Sequence, residues 1–194
     1  MICKITLLLV LLTLFSIPIY TQIPEKRTNK IDTIWASDNV RIIGDSTIDK
    51  TKINHTSTKF QSYLSFDDFK VKSLFKGVKA QINYKSNPTA PKYKTILTRT
   101  YKTTGLNFAG HYCFVSWVCG TSCQSSAVID LITGKVYDGP TASLGYDFRK
   151  NSKMLIVNPP DPTGFFDDCP TCQPQIWIWD EQAKKFKQKL PAGK

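Results

Sequence analysis

Cysteine spacing is the feature that most constrains how this chain can fold. Four cysteines form two close pairs, Cys119 with Cys123 in the segment CGTSC and Cys169 with Cys172 in the segment CPTC. In an exported protein, paired cysteines form disulfides by default. Two local bridges would make the tips of two loops rigid. Crossed bridges would instead tie the second segment to the first, and spacing alone leaves both arrangements open.

Two further interpretations of these cysteines also remain open. The four sulfurs could present a tetrahedral set of thiolates to zinc, although oxidation during export competes with metal binding. The CPTC segment could be a redox motif, although such motifs usually begin a helix and this one precedes a predicted strand. We favour disulfides, and we expect no metal and no cofactor.

The amino terminus predicts export. Lys4 precedes an uncharged, largely apolar run over 5–20, and the chain becomes polar directly afterwards. A run of this length is typical of a signal peptide and is short for a membrane span, and an uncleaved N-terminal anchor is the alternative. We therefore expect a periplasmic or extracellular protein with no membrane span once the signal has been cleaved. The predicted organisation is a signal peptide over 1–21, a flexible segment over 22–60 with at most one short strand at Val40–Ile43, and a single domain over 61–190.

The pattern of apolar residues in the domain predicts an α+β fold, an antiparallel β-meander of about five or six strands with one packed amphipathic helix. Four apolar residues from Tyr93 to Tyr101 fall at helical spacing, with Asn87 as the candidate cap and Gly105 as the stop. The stretches FKVKSLF and VKAQINY predict two strands, and HYCFVSWV predicts a central strand. Three later segments predict hairpins: SAVIDLITGKVYDG with its turn at Thr133 and Gly134, YDFRKNSKMLIVN with its turn at Lys150–Ser152, and QIWIWDEQAKKFKQKL with its turn near Gln182–Lys184.

The stretch from Asn107 to Tyr137 reads NFAGHYCFVSWVCGTSCQSSAVIDLITGKVY. It resembles the signature of a family of small secreted or periplasmic bacterial proteins: NFAGHY, a hydrophobic strand, W-G-C-G-[ST]-x-C, and a hairpin ending in TGKVY. The resemblance covers roughly 66–190, and the chain departs from it at Val118, where the family usually has glycine. It implies export and a common fold, and it implies no activity.

His111 and Cys113 are the candidates for catalysis. Residues two apart on a strand share a face, so an imidazole and a thiol there could form a base and a nucleophile. The same face carries Val115 and Trp117, which is typical of a packed core. We therefore expect a buried thiol and a hydrogen-bonded histidine, and we assign no catalytic residue.

Charge points to the class of partner. The chain has a net charge of +11, and no acidic residue lies between Asp68 and Asp130. Such a block attracts polyanions. The anion-binding candidates are four residues of the predicted helix: Lys92, Lys94, Arg99 and Lys102.

The sequence thus favours a non-enzymatic, disulfide-stabilised envelope or secreted module. Its expected partner is an anionic envelope polymer or another envelope protein. We expect it to bind no specific nucleic acid. The alternative is a thiol-based enzyme or redox protein that uses Cys113 with His111, or the Cys169–Cys172 pair.

Overall fold

The computed structural model describes residues 31–45 and 53–191. Over these residues the chain forms eleven strands, one α-helix and three short 3₁₀ helices. The helix, α1, spans Lys94–Thr103. The strands in chain order are β1 Ile31–Ala36, β2 Val40–Asp45, β3 Ile53–Lys59, β4 Tyr112–Gly120, β5 Cys123–Asp130, β6 Val136–Asp138, β7 Tyr146–Phe148, β8 Met154–Val157, β9 Phe165–Asp167, β10 Gln175–Asp180 and β11 Lys185–Lys189.

The strands form three sheets, and every strand pair within them is antiparallel. The N-terminal sheet has the order β1-β2-β3-β9, the central sheet β4-β5-β6, and the C-terminal sheet β11-β10-β8-β7. The α+β class is therefore confirmed. The expected five or six strands are wrong, because the described residues contain eleven.

The N-terminal sheet accounts for much of this difference. Strand β2 contains the predicted strand Val40–Ile43, but β1 and β3 flank it on both sides. Strand β3, with the sequence INHTSTK, has no alternation of apolar residues, and the side chains of β1 are mostly exposed. Backbone pairing rather than a buried apolar face defines these strands, so periodicity gave no signal for them.

The two strands predicted between Phe69 and Tyr84 are wrong. This segment forms only the isolated bridges Lys70↔Ser152 and Asn83↔Lys135, together with single backbone hydrogen bonds to other elements. Its apolar side chains, such as Phe75 and Ile82, pack against the core cluster beneath α1. The alternation in the sequence reflects this contact and not a sheet.

Strand β4 lies at an edge of the central sheet, so its predicted central position is wrong. The apolar pattern that suggested a central strand has a different cause. One face of β4, with Cys113 and Val115, packs against Leu97 of α1. The other face, with Tyr112 and Phe114, packs with residues of the C-terminal sheet. Burial on both faces, and not pairing on both edges, explains the apolar residues in the first half of the strand, Tyr112 to Val115.

The predicted helix is confirmed. A 3₁₀ turn over Ala90–Tyr93 leads directly into α1. Asn87 caps this turn, since its Oδ1 accepts hydrogen bonds from the backbone N–H groups of Thr89 at 2.8 Å and Ala90 at 3.1 Å. Gly105 follows the helix with a φ of 63°, a left-handed conformation that favours glycine.

Candidate functional site

The structure does not bring His111 and Cys113 together. Cys113 is completely buried in the cluster beneath α1, and burial raises the pKa of its thiol to about 12. A thiol that remains protonated at neutral pH is a poor nucleophile. His111 lies in the turn before β4, and its Nε2 is 3.5 Å from Glu181 Oε1 and 4.0 Å from Asp130 Oδ1. The two side chains therefore have different neighbours.

The four paired cysteines adopt the local arrangement. Cys119 is bonded to Cys123 across the β4–β5 turn, with 5.1 Å between their Cα atoms. Cys169 is bonded to Cys172, with 5.2 Å between their Cα atoms. Each bridge closes a short loop, so the chain-entropy model gives it a contribution of only about 2 kcal/mol.

Thiol mapping tests this pairing directly. Alkylation in denaturant without reduction, followed by peptide mapping, is expected to label Cys113 and none of the four paired cysteines. In the native protein Cys113 should react at least tenfold more slowly than after unfolding, because its sulfur is buried. Labelling of any paired cysteine without reduction, or a disulfide-linked peptide that joins Cys119 or Cys123 to Cys169 or Cys172, would contradict the local bridges.

The four predicted anion-binding residues are all exposed on α1 and the 3₁₀ turn before it, and we call this set the basic face: Lys92, Lys94, Arg99 and Lys102. Among the described residues, no carboxylate lies within 4.0 Å of any of these four cations. Within that part of the chain, no ion pair neutralises their charge. The buried side chains Leu97 and Tyr101 fix the opposite side of α1 to the central sheet.

A cleft of about 360 Å³ adjoins the basic face between α1 and the segment 79–84. Lys102 and Lys79 line it, and Lys79 Nζ donates a hydrogen bond to the carbonyl oxygen of Tyr101 at 2.9 Å. Tyr84 also lines it, and Lys94 Nζ lies 5.4 Å from the centre of the Tyr84 ring. The cleft thus extends the positive surface of the helix.

Glu181 is the centre of a polar network that sequence analysis missed. Its Oε1 accepts hydrogen bonds from Tyr112 Oη at 2.8 Å and from Lys184 Nζ, and its Oε2 accepts from Trp179 Nε1 at 3.0 Å. His111 Nε2 lies 3.5 Å from the same carboxylate. Only His111 stood out in the sequence. Glu181 and Lys184 fall in a predicted hairpin turn, where charged residues are ordinary.

The network holds Glu181 ionised. Burial opposes this, but hydrogen bonds from Lys184, Tyr112 and Trp179 outweigh it and lower the pKa of the carboxyl group. Burial lowers the pKa of Lys184. The hydrogen bonds that Lys184 donates to Glu181 and Tyr112 outweigh burial, so the pKa of Lys184 is raised overall. Burial raises the pKa of Tyr112, which keeps its hydroxyl a donor.

A second cleft of about 360 Å³ opens beside this network, and we call it the His111 cleft. Its polar lining comes from four separate parts of the chain: Lys70, Lys72, Ser73, His111, Lys153 and Glu181. Glu181, the one carboxylate in this lining, is already paired with Lys184. The three lysines of the cleft make no ion pair with any described carboxylate.

Comparison with known proteins adds no external guide to the site. No family model matches the chain, and no curated protein or solved structure matches it significantly. Within the described ranges, no helix is both long enough and apolar enough to cross a membrane. The predicted signal peptide over 1–21 lies outside the described residues. The function must therefore be inferred from the geometry of the chain's own residues.

Proposed function

We propose that this chain is an exported, non-enzymatic binding module that holds an anionic envelope polymer on the basic face. The observation that carries the proposal is the set of four exposed cations on α1 and the 3₁₀ turn before it, none of which has a carboxylate partner among the described residues. Export, and the resemblance to a family of secreted bacterial proteins, are part of the same proposal.

The fold supports the proposal by presenting the charges on a fixed scaffold. Helix α1 begins after a capped turn, and its apolar side is buried against β4 and β5. Because the scaffold is ordered before binding, little conformational entropy is lost when a polymer docks. The two disulfides stabilise loops elsewhere on the scaffold and have no chemical part in binding.

Retention on a polyanion matrix tests the proposal. On immobilised dextran sulfate, the variant K92Q/K94Q/R99Q/K102Q is expected to elute at about half the salt concentration that elutes the wild type, because four unpaired charges are lost from one surface. Glutamine keeps a high helix propensity, so α1 should persist, and circular dichroism can verify this.

The matched control removes four charges from exposed positions that line none of the described clefts: K76Q/K135Q/K150Q/K185Q. It has the same net charge as the first variant. We expect it to elute close to the wild type. If both variants elute at the same salt concentration, net charge alone governs retention and the basic face is not the site.

A further inference from the structure

The His111 cleft carries more positive charge than the described residues around it neutralise. Lys70, Lys72 and Lys153 each contribute one cation, and none has a described carboxylate within 4.0 Å. Glu181 contributes one negative charge, which Lys184 already offsets. Nearby Asp130 is buried and accepts hydrogen bonds from Ile132 N at 2.9 Å and Thr133 Oγ1 at 2.7 Å. Among the described residues, the cleft therefore has an excess of positive charge, which favours binding of an anion from outside.

The walls of this cleft are fixed by backbone hydrogen bonds. Val71 N donates to the carbonyl oxygen of Asn151 at 2.9 Å, and Lys153 N donates to that of Phe69 at 3.0 Å. The carbonyl oxygen of Lys153 in turn accepts a hydrogen bond from Trp179 N at 2.9 Å. The lysine-bearing segment is thus tied to the C-terminal sheet.

The turn that carries His111 is held equally closely. Phe75 N donates to the carbonyl oxygen of Gly110 at 2.8 Å. Gly110 has a φ of 86°, and a Cβ atom there would lie 3.0 Å from the carbonyl oxygen of Ser73. Only glycine combines this conformation with so close an approach. Both walls are therefore in place before any ligand binds, which reduces the entropic cost of binding.

We infer that the His111 cleft binds a phosphate group, with Lys70, Lys72 and Lys153 supplying the positive charge and Ser73 and His111 supplying polar contacts. A phosphate monoester suits this lining because it carries up to two negative charges and three terminal oxygens, enough for several donors at once. A carboxylate has one charge and two oxygens. The volume of about 360 Å³ also leaves room for the group that bears the phosphate.

This inference deepens the proposed function and rests on it for the assumption that the partner is anionic. It names a second site and the part of a partner that this site would take. Three sources supply this chemistry: free inorganic phosphate, a soluble phosphate monoester and a lipid headgroup.

The test is calorimetric titration of the full chain with inorganic phosphate at low ionic strength. The wild type is expected to show saturable binding. The variant K72Q/K153Q should bind about tenfold more weakly, because two cations of the cleft are removed. The control K150Q/K185Q loses the same charge outside the cleft and should bind within about twofold of the wild type. The single variant K72Q, at an exposed position, serves if the double variant does not fold.

Two arms identify the source of the phosphate. Phenyl phosphate tests a soluble monoester, and vesicles containing phosphatidate in phosphatidylcholine test a lipid headgroup. Tighter binding of either, with the same sensitivity to K72Q/K153Q, supports the cleft and names its source. Absence of saturable binding to all three probes, or equal weakening in the cleft and control variants, would overturn the inference. These results are independent of polymer retention by the K92Q/K94Q/R99Q/K102Q variant, so failure of one proposal is distinguishable from failure of the other.

Discussion

Replacing Glu181 with alanine is expected to lower the free energy of unfolding by about 3 kcal/mol, because it removes a partner from several groups at once. Tyr112 Oη and Trp179 Nε1 belong to buried side chains and would lose their carboxylate acceptor. Lys184 would lose its ion-pair partner in the half-buried network. Urea denaturation at pH 7 measures the change.

The matched control is Asp147→Ala. Asp147 pairs with Arg149 at 3.7 Å, and both side chains are exposed, so its removal should cost less than about 1 kcal/mol. If the Glu181 and Asp147 variants lose the same small amount, the Glu181 network does not stabilise the fold in the way its geometry indicates.

The effect of Glu181 should also depend on pH. Its folded-state pKa lies below its unfolded value of about 4.3, so its carboxylate stabilises the fold above that value. This stability is lost as pH falls through the lower folded pKa. Asp180 has a folded pKa of about 2, so it also destabilises the fold when it is protonated at low pH. Comparing the wild type with Glu181→Gln isolates the contribution of Glu181, because Asp180 is present in both proteins. The difference between these two proteins should be largest at pH 7 and should shrink towards pH 3. A difference independent of pH would contradict the ionised network.

Asn158 is the second residue whose loss should be severe. It is buried, and its Oδ1 accepts hydrogen bonds from Ser143 N at 2.7 Å and Leu144 N at 2.9 Å. Its Nδ2 donates to the carbonyl oxygens of Thr171 at 2.8 Å and Gln173 at 3.4 Å. One side chain thus ties the disulfide-bonded CPTC loop to the segment before β7.

Asn158→Ala should lower the free energy of unfolding by about 3 kcal/mol. Part of this cost is steric, because Asn158 has a φ of 53°, a left-handed conformation that asparagine tolerates better than alanine. Asn158→Gly removes the same hydrogen bonds without that strain and should cost about 2 kcal/mol. Denaturation gives both values, and hydrogen exchange should rise at the amides of Ser143 and Leu144. A glycine variant as stable as the wild type would show that these hydrogen bonds add nothing.

Local sequence patterns predicted the parts of the fold that form from neighbouring residues. The helix was readable from the spacing of its apolar side chains and from Asn87, which does cap the turn before it. The hairpins β5–β6, β7–β8 and β10–β11 were readable in the same way. Cysteine spacing predicted disulfides but left local and crossed pairing open, and the structure has the two local pairs.

Features that depend on distant residues were not predictable. Tyr112 and Glu181 are 69 positions apart, and packing of the central sheet against the C-terminal sheet brings them within 2.8 Å. The His111 cleft likewise combines Lys72, His111 and Lys153 from three parts of the chain. The apolar residues of β4 predict a central strand, but β4 is an edge strand, because burial on both faces and pairing on both edges favour the same apolar sequence.

The salt dependence of polyanion affinity tests the proposed role of the basic face most directly. Binding of dextran sulfate to the wild type, to K92Q/K94Q/R99Q/K102Q and to K76Q/K135Q/K150Q/K185Q should be measured over a series of salt concentrations. Each cation that contacts the polymer adds roughly one to the slope of log K against log salt. The basic-face variant is therefore expected to have a slope about three less steep than that of the wild type. The control variant is expected to have a slope close to that of the wild type. Equal slopes for the two four-residue variants would contradict the assignment of binding to the basic face.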